Sequence, residues 1–122
     1  MARAGGFDVV CRNVLLISRD ESFIRSLRWY LEDRGVPVQS VPALEELFLA
    51  HPAPEPGVVI LDLESLPSEA YWQAQRQLDW LCRRCAVLLV GEGESNPLEC
   101  AYGGFSRKPV SPEFLMERIQ NL

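Results

Sequence analysis

Four stretches of this sequence carry side chains that could do chemistry. Asp62 closes the apolar run Val58-Val59-Ile60-Leu61. Lys108 follows Phe105-Ser106-Arg107, Ser18-Arg19-Asp20 follows Asn13-Val14-Leu15-Leu16-Ile17, and Cys82-Arg83-Arg84-Cys85 holds a CxxC pair. Lys108 is the only lysine beside eleven arginines. A carboxylate facing a lysine can form an ion pair or neutralise a phosphoryl group. A CxxC pair can be redox-active or ligate zinc. A structural zinc site usually takes four ligands, and the other candidates, Cys11, Cys100 and His51, are distant in sequence. The pair also falls where a helix should end and a strand begin, unlike a redox pair at a helix start. It reads as structural, and His51 beside Pro52 reads as an exposed loop residue.

The elements that must position these residues alternate in kind. Asn13 to Ile17, Val58 to Leu61 and Ala86 to Val90 are short apolar runs suited to strands buried on both faces. Val36 to Val41 predicts a further strand, which Pro37 sends to a sheet edge. Gly104 to Arg107 predicts a last, brief one. Between them, Phe23, Ile24, Leu27, Tyr30 and Leu31 recur at helical spacing, with Gly35 as a stop. Ala43 to Ala50, Ser68 to Leu81 and a short Pro97 to Tyr102 predict helices, and Ser111-Pro112-Glu113 opens the final one. Strand and helix alternating five times implies an α/β fold, a parallel sheet with helices on both faces. Ligands of such sheets bind beyond the carboxyl ends of the strands. Ser18, Arg19, Asp20, Asp62, Val90, Gly91 and Lys108 all fall at that edge.

Composition bounds the rest. The chain has 122 residues, a formal charge of −5, 48% hydrophobic residues and 24% charged residues. That is one globular domain, read as residues 13–122 after an N-terminal extension, 1–12. An acidic surface repels phosphate backbones, which argues against a nucleic-acid partner. No apolar run approaches the ~20 residues that span a bilayer, and the start lacks a signal-peptide core. The expectation is a cytoplasmic protein with reduced thiols and no membrane contact.

The motifs Val59-Ile60-Leu61-Asp62-Leu63 with Pro67, and Lys108-Pro109-Val110-Ser111-Pro112-Glu113, together with the helix Phe23 to Leu31 and Gly35, resemble the receiver domain of bacterial response regulators. The resemblance covers about residues 13 to 122. It implies a three-layer, flavodoxin-like fold with a five-stranded parallel sheet in the order 2-1-3-4-5. It places Asp62 at the phosphoacceptor position, Lys108 at the lysine that pairs with it, and Phe105 at the aromatic residue whose rotation reports activation. Where that family has two acidic Mg²⁺ ligands, this sequence has Ser18 and Arg19, with Asp20 one position on. Where it has a Ser or Thr that binds the phosphoryl group, this sequence has Val90. The interval from Val90 to Lys108 is short by about one helical turn, which predicts a shortened fourth helix.

Mg²⁺ wants oxygen ligands, usually with a carboxylate among them. Ser18 offers a neutral oxygen, Arg19 turned inward would add positive charge, and Val90 cannot donate a hydrogen bond. The resemblance is therefore to a degenerate receiver, or pseudo-receiver: a two-component signalling domain acting as a phosphorylation-independent protein-interaction module, with no catalysis, cofactor or metal. The alternative is a working phosphoacceptor, modified on Asp62 by a histidine kinase with Mg²⁺. Expected partners are a kinase or a downstream regulator. Trp29 lies opposite Leu27 on its helix, off the apolar face, and marks a candidate interface or weak homodimer contact. Packing over nearby arginine stems is the competing reading.

Overall fold

The computed structural model describes residues 13–43, 57–65, 76–80, 83, 85–92 and 105–121. The extension 1–12 and the expected helices after Ala43 and over Pro97 to Tyr102, including the shortened fourth helix, lie outside them. Of the expected helix Ser68 to Leu81, residues 76–80 are described and are helical.

Five strands, β1 (Val14–Ile17), β2 (Val38–Val41), β3 (Val58–Asp62), β4 (Ala86–Gly91) and β5 (Phe105–Arg107), form one sheet in the order β2-β1-β3-β4-β5. Every neighbouring pair is parallel. β1, β3 and β4 carry the branched apolar runs, and every residue of β1 and β3 is buried. Such runs suit strands covered on both faces. Pro37 lacks an N–H, so β2 begins just after it, at the sheet edge.

Side chains alternate along each strand, which divides the core in two. Val14, Leu16, Val58, Ile60, Leu88 and Val90 face helices α1 (Glu21–Asp33) and α2 (Pro112–Gln120), meeting Leu27, Leu31, Leu115 and Ile119. Leu15, Ile17, Val59, Leu61, Val87 and Leu89 face the other way and pack with Leu78 of the helical residues 76–80. Cys85 packs against this second core as a partly buried thiol. The other cysteine of the CxxC motif, Cys82, lies outside the described residues.

Helices α1 and α2 both start on side-chain caps. Asp20 Oδ1 accepts the N–H groups of Ser22 and Phe23, and Ser111 Oγ accepts that of Phe114 with Pro112 in the first turn. These bonds satisfy amides that a helix start leaves unpaired. At the far end of α1, Gly35 has φ +85°, the left-handed conformation open to glycine, and the chain turns into β2. Among the described residues no helix is long and apolar enough to cross a membrane.

Candidate functional site

Strand parity decides which residues meet at the carboxyl edge of the sheet. Asp62 continues the Val58 and Ile60 face, so it points to the α1 side and not into the second core. Ser18, one residue beyond β1, has the parity of Val14 and Leu16. Lys108, one residue beyond β5, has the parity of Ser106, which is paired level with Val90; Val90 in turn is level with Asp62. The Lys108 N–H donates to the Gly91 carbonyl at 2.7 Å, carrying the β4–β5 ladder one step further. The Lys108–Pro109 peptide is cis.

Asp62 is fully buried, and both its oxygens are engaged. Oδ2 accepts a hydrogen bond from Ser18 Oγ at 2.7 Å and one from Lys108 Nζ at 2.9 Å. Oδ1 accepts the Glu64 N–H at 3.1 Å. Ser18 Oγ in turn accepts the Asp20 N–H at 3.1 Å, so a hydrogen-bond chain runs from the backbone through the hydroxyl to the carboxylate. Lys108 Nζ also lies 3.8 Å from Asp20 Oδ2 and 5.0 Å from the centroid of the Phe23 ring. The ammonium is thus held between two carboxylates over an aromatic face. Lys108 lines an open groove of about 480 Å³ with Asp20, Phe23, Arg107, Pro109 and Val110. Asp62 lies behind it.

Two residues assigned to the pocket from sequence stand elsewhere. Arg19 points away: its Nε donates to the Pro42 carbonyl at 3.1 Å, and its N–H donates to Ser65 Oγ at 2.8 Å. It follows inward-facing Ser18, and alternation turns it towards the end of β2. Phe105 is paired with Leu89, shares its parity and packs against the second core. Val90 is buried at the level of Asp62 and offers only methyl groups there. Asp62, Ser18, Asp20 and Lys108 do come together.

Two contributors were not foreseen. Ser65, at the end of the 3-10 turn Leu63–Ser65, fixes the backbone of Arg19. Glu64 spans two loops: its Oε2 accepts the Glu92 N–H at 2.7 Å. A methyl group on Gly91 would meet Leu63 Cβ at 3.3 Å and Glu64 Oε2 at 3.4 Å, a tight fit beneath this strap. The visible hint was the glycine after the apolar run of β4. The strap itself could not be read, because Glu64 and Glu92 lie 28 residues apart.

Among the described residues the donor set does not fit Mg²⁺. That ion demands near-octahedral oxygen coordination. Here Asp62 Oδ2 already receives a hydroxyl and an ammonium, Asp20 Oδ1 caps α1, and Arg19 supplies no oxygen. Among the described residues no three His, Cys, Asp or Glu side chains gather as metal ligands. Lys108 Nζ stands between the two carboxylates, 2.9 Å from Asp62 Oδ2 and 3.8 Å from Asp20 Oδ2.

No family model and no curated protein matches the sequence. Solved structures do match in shape. A response regulator from Thermotoga maritima aligns over 91% of this chain and 96% of its own, with a TM-score of 0.75 and 16% identity. The chemotaxis response regulator CheY4 of Vibrio cholerae aligns over 91% and 98%, with a TM-score of 0.72 and 18% identity. A response regulator receiver domain protein from Clostridium thermocellum aligns over 90% and 92%, at 0.71 and 19%. The β2-β1-β3-β4-β5 parallel sheet with its helices is the flavodoxin-like fold of these response-regulator structures.

Proposed function

We propose that this chain is a pseudo-receiver: a non-enzymatic, phosphorylation-independent signalling module that works by binding protein. The observation that carries the reading is the closed state of Asp62. Its carboxylate is fully buried, with Ser18, Lys108 and the Glu64 N–H on its two oxygens. A phosphodonor reaching Oδ2 would have to displace a hydroxyl and an ammonium. Phosphoryl transfer to a carboxylate gains from positioning and charge neutralisation, and the described residues offer the cation that would supply these no fitting ligand set. Val90 gives a transferred group no hydrogen-bond donor. A ligand shifts a conformational equilibrium only through differential affinity for its states. Without metal or donor, phosphorylation has little to act through, and the ion pair holds one conformation.

A phosphoacceptor reading draws on one observation, the 2.9 Å approach of Lys108 to Asp62, which resembles the acceptor–lysine pair of receivers. Mg²⁺ and beryllofluoride separate the two. The pseudo-receiver reading expects millimolar Mg²⁺, alone or with beryllofluoride, to leave thermal stability and tryptophan fluorescence unchanged. Ser18→Asp combined with Arg19→Asp should create a metal response. Mg²⁺-dependent stabilisation of the unmodified protein, lost in Asp62→Asn, would overturn the reading.

A further inference from the structure

Helix α1 buries Leu27 and Leu31 and turns Trp29 outward, leaving it 70% exposed. With about 100° between successive residues, the row at four-residue spacing through Trp29 is Glu21, Arg25, Trp29 and Asp33, and every member is exposed. An open groove of about 520 Å³ lies beside the row, walled by Ile24, Arg28 and Glu32. A large ring on an exposed helix face marks a contact surface when its surroundings suit a partner.

The charges around the ring say which partner. Arg25 stands four residues before Trp29 and Asp33 four residues after it. We propose that this surface binds a second copy of itself, α1 against α1 in antiparallel fashion, with a two-fold axis passing at Trp29. That symmetry puts the rings face to face and sets each Arg25 opposite the other copy's Asp33, giving two equivalent charge pairs. A parallel pairing would oppose Arg25 to Arg25 and Asp33 to Asp33, so the pattern selects the antiparallel one. Rows at four-residue spacing pack against each other at about −50°, the commonest helix crossing. The antiparallel arrangement also opposes the two helix dipoles. Asp33 loses little by re-pairing, because its present contact with Arg34, at 3.6 Å, is exposed to water. Glu32 already engages Arg28 at 3.8 Å and lies on the flank of the row.

One helix crossing buries less than the ~1,200 Å² at which stable complexes begin, so this dimer forms at high protein concentration or where a longer assembly brings two copies together. The inference rests on the interaction-module reading only in naming the partner. The Asp62 pocket takes no part in it, and metal response does not report on it.

Sedimentation equilibrium from micromolar to millimolar protein tests the proposal, with circular dichroism confirming that each variant is folded. A concentration-dependent monomer–dimer equilibrium is expected. Trp29→Ala should abolish it. Arg25→Asp and Asp33→Arg should each weaken it more than ~tenfold by setting like charges opposite one another. The double variant Arg25→Asp/Asp33→Arg should restore it to within a few-fold of the original, a rescue that only a reciprocal pairing gives. A protein that stays monomeric throughout would assign Trp29 to a different protein or to its own helix, and overturn the proposal. Persistence of the dimer in Trp29→Ala, or failure of the double variant to recover, would do the same.

Discussion

At the scale of single residues, removing Lys108 and removing the charge of Asp62 should differ in cost. Lys108→Met leaves a fully buried carboxylate with one hydroxyl and one amide. Removing one member of a buried pair costs ~3–5 kcal/mol. Lys108 is 12% exposed at its side chain, so water partly substitutes and a loss of ~3 kcal/mol is expected. Asp62→Asn keeps an acceptor for Ser18 and leaves Lys108 beside half-exposed Asp20, so it should cost less, about 1–2 kcal/mol. Urea unfolding of the two variants checks that order; an equal or reversed order would mean that the pair contributes little. Gly91→Ala should cost about 1 kcal/mol, because the new methyl presses on Leu63 and on the Glu64 strap.

At the scale of elements, caps and turns set where the pocket residues stand. Asp20 both caps α1 and approaches Lys108, and two substitutions separate those roles. Asp20→Ala should cost about 1 kcal/mol through the cap, whereas Asp20→Ser, which keeps a cap oxygen, should recover most of it. If both variants unfold at the same denaturant concentration, the loss belongs to the Lys108 contact and not to the helix start. Gly35→Ala should cost about 1 kcal/mol because L side chains rarely adopt φ +85°. The elements themselves were legible in sequence wherever burial is two-sided. The runs ending at Ile17, Asp62 and Val90 left no polar alternation to confuse strand with helix, and Pro37 gave away the edge. The site was legible in part. Asp62, Ser18 and Lys108 were placed by the carboxyl-edge rule. The direction of Arg19 was not, because it stands past the last residue of β1, where parity depends on how Ser18 is oriented. The Glu64 strap joins loops that only the tertiary fold brings near.

At the scale of the whole molecule, the sheet is a wall between two cores, and the pocket hangs on the side that α1 and α2 close. Leu27→Ala, opening space between α1 and β-strand residues such as Leu16 and Ile60, should cost ~3 kcal/mol and weaken the pocket along with the fold. Sequence-wide, the chain holds a single lysine, and that lysine is Lys108, pinned between Asp62 and Asp20. Its ammonium is therefore the only side-chain amine that acylating or reductively methylating reagents can find. Such reagents attack the free amine, so labelling must first draw Lys108 out of its carboxylates. Slow labelling in the unmodified protein and fast labelling in Asp62→Asn would report that pair directly. Methylation with ¹³C-formaldehyde would then leave one side-chain resonance, a reporter of the carboxyl edge with no other lysine signal to resolve.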